Sequence, residues 1–247
     1  MQSANAVFDW DEIDLIVFDM DGTLYDQRKL RAFMLAALLR ETVRSRSLDT
    51  ILTLRAFRHV REQLAENPSG DFIDAQYDLT AARRGQSAAR IRPLVAEWME
   101  RRPLPLLAAC RRPGIERLFR AIPAAGKKIG IFSDYPATEK LAALRLRADL
   151  VVASTDPDVA RLKPNPAGLL KLLRLAAVEP QRAVLIGDRR ERDGEVAARA
   201  NMPCLILSPN QHPAGDSFSS FSDRVFEPLL QPHSKSTTRS RELFDDP

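Results

Sequence analysis

The chain has 247 residues, 45% hydrophobic and 28% charged, with a formal net charge of +4 at neutral pH. That is enough for a buried core and ordinary for a globular protein, which argues against a disordered or fibrous chain. Its two cysteines, Cys110 and Cys204, form no CxxC pair and no cluster with histidine, which argues against a disulfide framework or a structural zinc site.

Read from the start, MQSANAVFDWDEIDL has neither the basic opening nor the apolar run of a signal peptide, and no membrane span follows, so a cytoplasmic protein is expected. The first apolar run is IDLIVF, residues 13–18, ending in the acidic sequence DMDGTLYD. Four similar runs come later: KIGIFS (128–133), DLVVAS (149–154), AVLIGD (183–188) and PCLIL (203–207). Such short, nearly continuous apolar segments suit a parallel sheet buried on both faces. Helical patterns lie between the later runs, in ATEKLAALRL, NPAGLLKLLRLAA and DGEVAARAN. The alternation predicts an α/β fold with a doubly wound, parallel, five-stranded sheet.

One long stretch interrupts this rhythm. Between the first and second runs, apolar residues recur at helical spacing: Leu30, Phe33, Met34, Ala37 and Leu38, then Ile51, Leu54, Phe57, Val60 and Leu64, then Ile91, Val95, Trp98 and Met99. ENPSGD, residues 66–71, reads as a turn between helices. The expected organisation is a core of residues 1–27 and 109–230, a helical domain inserted at 28–108, and a disordered tail at 231–247. FSSFSDRVFEPLL, residues 218–230, is expected to be a last amphipathic helix. The segment from Arg28 to Ala108 holds 15 basic and 9 acidic residues, against 22 and 24 elsewhere. A basic lobe attracts anions, phosphate esters foremost, whereas nucleic acid is the weaker reading because aromatic and basic residues do not interleave.

In open parallel sheets, functional groups collect beyond the carboxyl ends of the strands. Asp19 and Asp21 follow the first strand, with Met20 facing away between them. Gly22 and Thr23 permit a tight turn whose N–H groups suit phosphate oxygens. A hard cation between paired carboxylates and phosphate would relieve their repulsion. Ser133 ends the second strand, Lys163 follows the third in RLKPNP, and Asp188 ends the fourth with Asp193 beyond it. A calcium loop starting at Asp19 would need Gly and Glu where Leu24 and Leu30 stand, and no C-x5-R or Walker-type loop occurs.

These residues, in this order, resemble the haloacid dehalogenase (HAD) superfamily of phosphohydrolases. Asp19, Met20, Asp21, Gly22 and Thr23 match its D-x-D-G-T motif. Ser133 matches the second, Lys163 the third, and Gly187, Asp188 and Asp193 the fourth, so the match spans roughly residues 13 to 208. The helical insertion looks like the family's C1 cap. The resemblance implies a HAD-like, Rossmannoid core and a Mg²⁺-dependent phosphatase acting on a small soluble phosphate ester. It makes Asp19 the nucleophile and Asp21 the acid and base, with Gly22, Thr23, Ser133 and Lys163 binding the phosphoryl group. It assigns the metal to Asp19, Asp188 and Asp193 and to Asp21 through its backbone carbonyl. A phosphosugar mutase using the same aspartyl-phosphate, and a non-catalytic regulatory protein on this fold, are the alternatives. One departure is Asp134, where the family often has Asn, since an anion there must point away from substrate or pair with an arginine.

Overall fold

Four apolar residues, Leu15–Phe18, none with measurable exposure, form strand β1 at the middle of the sheet. The computed structural model describes residues 9–66, 72–210 and 215–231. After β1 come the helices α1 (Gln27–Ser45), α2 (Asp49–Glu66), α3 (Phe72–Arg84), α4 (Ala88–Val95), which continues into a π-helical turn at Ala96–Arg101, and α5 (Leu104–Cys110). Helix α6 (Ile115–Ala124) then leads into β2 (Lys128–Ser133), α7 (Thr138–Leu144), β3 (Leu150–Ala153) and α8 (Ala167–Ala176). The chain continues through β4 (Ala183–Gly187), a π-helical turn (Arg190–Gly194), α9 (Glu195–Arg199), β5 (Cys204–Leu207), β6 (Ser217–Phe218) and α10 (Glu227–Leu230).

All strand pairings are parallel, in the order β3-β2-β1-β4-β5-β6. Successive residues of β1 face opposite sides, as strand geometry requires. Ile16 and Phe18 join one core with α6 and α7. Leu15 and Val17 join the other, against Leu169, Leu172 and Leu173 of α8. The five expected runs are all strands, but the sheet has six, because Phe218 extends it by pairing beside Leu207. Residues 218–230 are correspondingly not one helix. Asp223 Oδ2 accepts the N–H groups of Ser219 (2.6 Å) and Ser220 (3.1 Å), a local turn that competes with helix, and only Glu227–Leu230 is α-helical.

The insert between β1 and β2 packs around its own cluster of Leu54, Phe57, Ala81, Ile91, Val95 and Trp98. Helix α1 contributes less than its apolar spacing suggests: only Leu30 is buried, and Phe33 is 41% exposed. Leu162 of the sheet domain packs with Val60, Leu64 and Phe72, joining insert to core. Entry and exit of the insert lie side by side. Asp26 N–H bonds Cys110 O (2.8 Å), Arg112 N–H bonds Leu24 O (3.0 Å), and Tyr25 forms an antiparallel bridge with Arg111. Asp26 also caps α1, accepting the N–H groups of Arg28 and Lys29. The expected turn at 66–71 and the expected tail at 231–247 lie outside the described residues except for Glu66, which ends α2, and Gln231. Among the described residues, no helix is long and apolar enough to cross a membrane.

Gly168, in the first turn of α8, lies against the buried ring of Phe132. A Cβ there would stand 2.2 Å from Phe132 Cε2. Alanine would gain at most about 1 kcal/mol of helix propensity. Overpacking a ring with no exposure costs about 1–3 kcal/mol, so the clash should win. Gly168→Ala is therefore expected to lower the urea midpoint of unfolding; an unchanged or raised midpoint would show that Phe132 yields freely.

Candidate active site

The site forms at the carboxyl ends of β1, β2 and β4 and of the segment after β3. Asp19 N–H extends the sheet ladder to Ile186 O (2.8 Å), so the backbone fixes where its carboxylate emerges. The chain then turns sharply at Gly22, whose φ of +105° is accessible to glycine and costly for other residues. Space adds a second constraint, since a Cβ on Gly22 would lie 2.2 Å from Asp188 Oδ2. Arg112 donates to the Gly22 carbonyl (3.0 Å), holding the turn from the return linker of the insert. Thr23 is fully buried and donates its hydroxyl proton to Asp19 Oδ2 (3.2 Å).

Lys163, 1% exposed, points its ammonium at two carboxylates, Asp19 Oδ1 (2.6 Å) and Asp193 Oδ1 (2.8 Å). Asp193 is more than the cap of a helix. Its Oδ2 accepts the N–H groups of Asp188 (3.2 Å) and Arg189 (3.0 Å), pinning the loop after β4. Gly187 is small for the same reason: a Cβ there would come within 2.4 Å of Asp193. Carboxylate oxygens of Asp19, Asp188 and Asp193 lie within 4.8 Å of one another. The Asp21 side chain turns elsewhere, accepting two bonds from Lys140 Nζ (2.6 and 2.9 Å) and a short one from the Tyr25 hydroxyl. Met20 faces into the core, as the sequence implies.

The electrostatics follow from this packing. Burial pushes the Asp19 carboxyl well above the ordinary range, and Asp193 and Asp188 add to the shift while Lys163 opposes it. Asp188 is raised to about 6, by burial first and then by Asp193. Burial would lower Lys163, but Asp19 and Asp193 outweigh it and hold the ammonium charged. Burial likewise disfavours an ionised Asp21, yet Lys140 and Tyr25 more than offset that and keep it low. Three clustered acids thus face one ammonium, with two negative charges in excess if all ionise. Asp188 Oδ1 is buried with no hydrogen-bond donor among the described residues. An all-oxygen donor set, excess negative charge and an orphaned oxygen together fit a hard divalent cation.

Asp19, Asp21, Lys163 and Asp193 line a cavity of about 200 Å³ between sheet and insert. Gly22, Thr23 and Asp188 do not line it. Nor does Ser133, fully buried, with its Oγ accepting the Tyr135 N–H (3.2 Å). Asp134 resolves its own difficulty. Its Oδ1 accepts from Ser154 Oγ (2.9 Å) and the Lys163 N–H (3.1 Å), and its Oδ2 faces Arg192 (3.5 Å). Sequence reading missed Tyr25, Lys140 and Arg112, whose roles rest on contacts that no local pattern marks; Lys140, for one, is buried in the α7 segment TEKLAAL.

Comparison with known proteins agrees with this geometry. The description of haloacid dehalogenase-like hydrolases matches residues 13–201. YhcW of Bacillus subtilis (strain 168), provisionally named a phosphatase, is 27% identical over 86% of this chain and 91% of its own. A phosphoglycolate phosphatase of Rhodospirillum rubrum is 28% identical over 78% of each chain. Among solved structures, a 2-haloacid dehalogenase from Pseudomonas syringae pv. Tomato DC3000 superposes with a TM-score of 0.61 at 22% identity, over 88% of this chain and 97% of that one. A β-phosphoglucomutase from Clostridium difficile does so with 0.56 at 17%, over 88% and 95%. These structures share the fold, and the matched span holds every strand-end residue just described from Asp19 to Asp193: the chain belongs to the haloacid dehalogenase-like hydrolases.

Proposed function

We propose that the protein is a phosphomonoesterase that hydrolyses a small phosphate ester through an aspartyl-phosphate on Asp19. The observation that carries the reading is the cluster of Asp19, Lys163, Asp188 and Asp193, of which Asp19, Lys163 and Asp193 line one cavity. The names of the two sequence relatives support it. A carboxylate approaching a phosphate dianion is repelled, and a site of this charge makes sense only if cations cancel that repulsion. Asp19, Asp188, Asp193 and the backbone carbonyl of Asp21 would hold Mg²⁺, which supplies such cancellation when bound.

In the first step an Asp19 oxygen attacks phosphorus, the ester P–O bond breaks, and the leaving oxygen takes a proton from Asp21. In the second, water attacks the same phosphorus, gives its proton to Asp21, and the Asp19 carboxylate departs. Lys163 holds the Asp19 carboxylate in place for the attack and balances charge on the phosphoryl oxygens. Asp21, ionised under the grip of Lys140 and Tyr25, is set for the second step, and it serves the first only when that grip loosens. Ser133 keeps the loop after β2 in place through the Tyr135 N–H and supplies the hydroxyl nearest the phosphoryl site on that strand.

Purified protein is expected to release phosphate from p-nitrophenyl phosphate with Mg²⁺ and to stop with EDTA. Asp19→Asn should reduce turnover by about 10⁴-fold or more with the fold retained by circular dichroism. Near-normal turnover in that variant, or hydrolysis of 2-chloropropionate in place of the phosphate ester, would refute the reading. Lys163→Ala should cost about 3 kcal/mol of transition-state stabilisation, the size of a lost preorganised donor. An unchanged kcat/KM would remove Lys163 from the reaction.

The raised carboxyl of Asp188 sets a pH dependence. Its contribution to stability is full below about pH 3.8 and is lost as pH rises through about 6, because the fold favours the protonated form. A cation selects the ionised form. The rise in Tm on adding Mg²⁺ should therefore be large at pH 7.5 and fade below pH 6. A rise that does not change between pH 5 and 7.5 would separate Asp188 from the metal.

A further inference from the structure

The basic side chains around the cavity fall into two groups. Those from the sheet domain are ion-paired: Lys140 with Asp21, Lys163 with Asp19 and Asp193, Arg189 with Glu191, and Arg192 with Asp134. Those from the helical insert, Arg31, Arg58 and Arg61, have no carboxylate within 4.0 Å among the described residues. Arg31 and Arg58 are exposed, so solvent can balance them. Arg61 is different, being only 6% exposed.

The surroundings of Arg61 hold a cation without neutralising it. Its Nη1 donates to Gln76 Oε1 (2.9 Å), and its Nη2 donates to the backbone carbonyl of Asp134. The guanidinium carbon lies 3.9 Å from the ring centroid of Tyr135 and 5.2 Å from that of Phe72. All four partners are neutral. Its Nε is buried with no acceptor among the described residues. Asp134, whose backbone carbonyl Arg61 binds, has its carboxylate committed to Ser154, the Lys163 N–H and Arg192. Glu62, exposed on the same cavity wall, forms no ion pair with either arginine. A buried cation is normally paired, and unpaired burial is costly. The missing partner here has an open place, because Arg61 and Arg58, three residues apart on α2, both line the cavity.

We propose that Arg61 and Arg58 form a second anion site, so that the substrate is a phosphate ester carrying a further carboxylate or phosphate group. This deepens the phosphatase reading and rests on it for the first anion, the phosphoryl group at Asp19 and Lys163. The two sites are close, since Arg61 bonds the residue after Ser133. The second anion therefore belongs near the reacting group, as in a small two-headed molecule. An arginine also recognises a carboxylate or phosphate with two parallel bonds, which a lysine there would not.

Calorimetric titration with non-hydrolysable ligands tests this without turnover. With Mg²⁺ present, the full chain is titrated with propylphosphonate, 3-phosphonopropionate and propane-1,3-bisphosphonate. One of the doubly anionic ligands should bind about tenfold or more tightly than propylphosphonate, and the tighter of the two tells whether the second group is carboxylate or phosphate. Arg61→Gln and Arg58→Gln should each shrink that ratio by about threefold or more. Arg58 is exposed, so its variant folds even if Arg61→Gln does not. Equal affinities in the unaltered protein, or variants that weaken all three ligands alike, would overturn the site. Phosphate release from p-nitrophenyl phosphate reads the hydrolysis separately: its absence would remove the phosphatase and leave the anion site standing on the binding ratio.

Discussion

One ammonium in contact with two buried carboxylates organises the molecule. Lys163 reaches Asp19 from the segment after β3 and Asp193 from the turn after β4, so three strand ends meet through a single nitrogen. Desolvating such a group is unfavourable unless its partners are well placed, and here each partner is fixed by its own backbone or loop contacts. The arrangement is still undercompensated. Asp188 adds a third acid, and burial first, with the neighbouring acids after it, raises the carboxyl groups of Asp19 and Asp188. That excess of acid is what a divalent ion would offset.

The sheet was readable because burial on both faces leaves a plain signature. Residues 15–18, 129–132 and 184–186 are apolar throughout, too short a continuous run for a helix of ordinary length and the right length for a strand covered on both faces. The sixth strand left no such trace. Ser217–Phe218 has two residues and one apolar side chain, and only its position beside β5 makes it a strand. The split of residues 218–230 was hidden for a related reason, since the Asp223 turn is a local bond that apolar spacing does not register.

The acids and Lys163 were legible because they follow strands, where an open parallel sheet gathers its chemistry. What escaped were pairings across long sequence separations. Lys140 meets Asp21 from 119 positions away, and Arg61 meets Asp134 from 73. Nothing in TEKLAAL or RAFRHVREQ announces such partners: the first pair exists because α7 follows β2, the neighbour of β1, and the second because the insert lies over the strand ends. Asp134 is instructive in the other direction. Its identity raised the right question, whether an anion beside Ser133 is turned away or paired, and the answer needed Ser154, the Lys163 N–H and Arg192 in place.

The two linkers of the helical insert run as a short ladder, with Tyr25 beside Arg111 and Arg112 tied to both Leu24 and Gly22. A hinge of independent loops would let the insert swing without disturbing the sheet. A laced pair behaves as one stiff stem, and its root is the turn that carries Asp19 and Asp21. Torque on the insert would thereby be delivered to the peptide groups next to Asp19, so that the position of the insert and alignment at β1 would become a single mechanical variable.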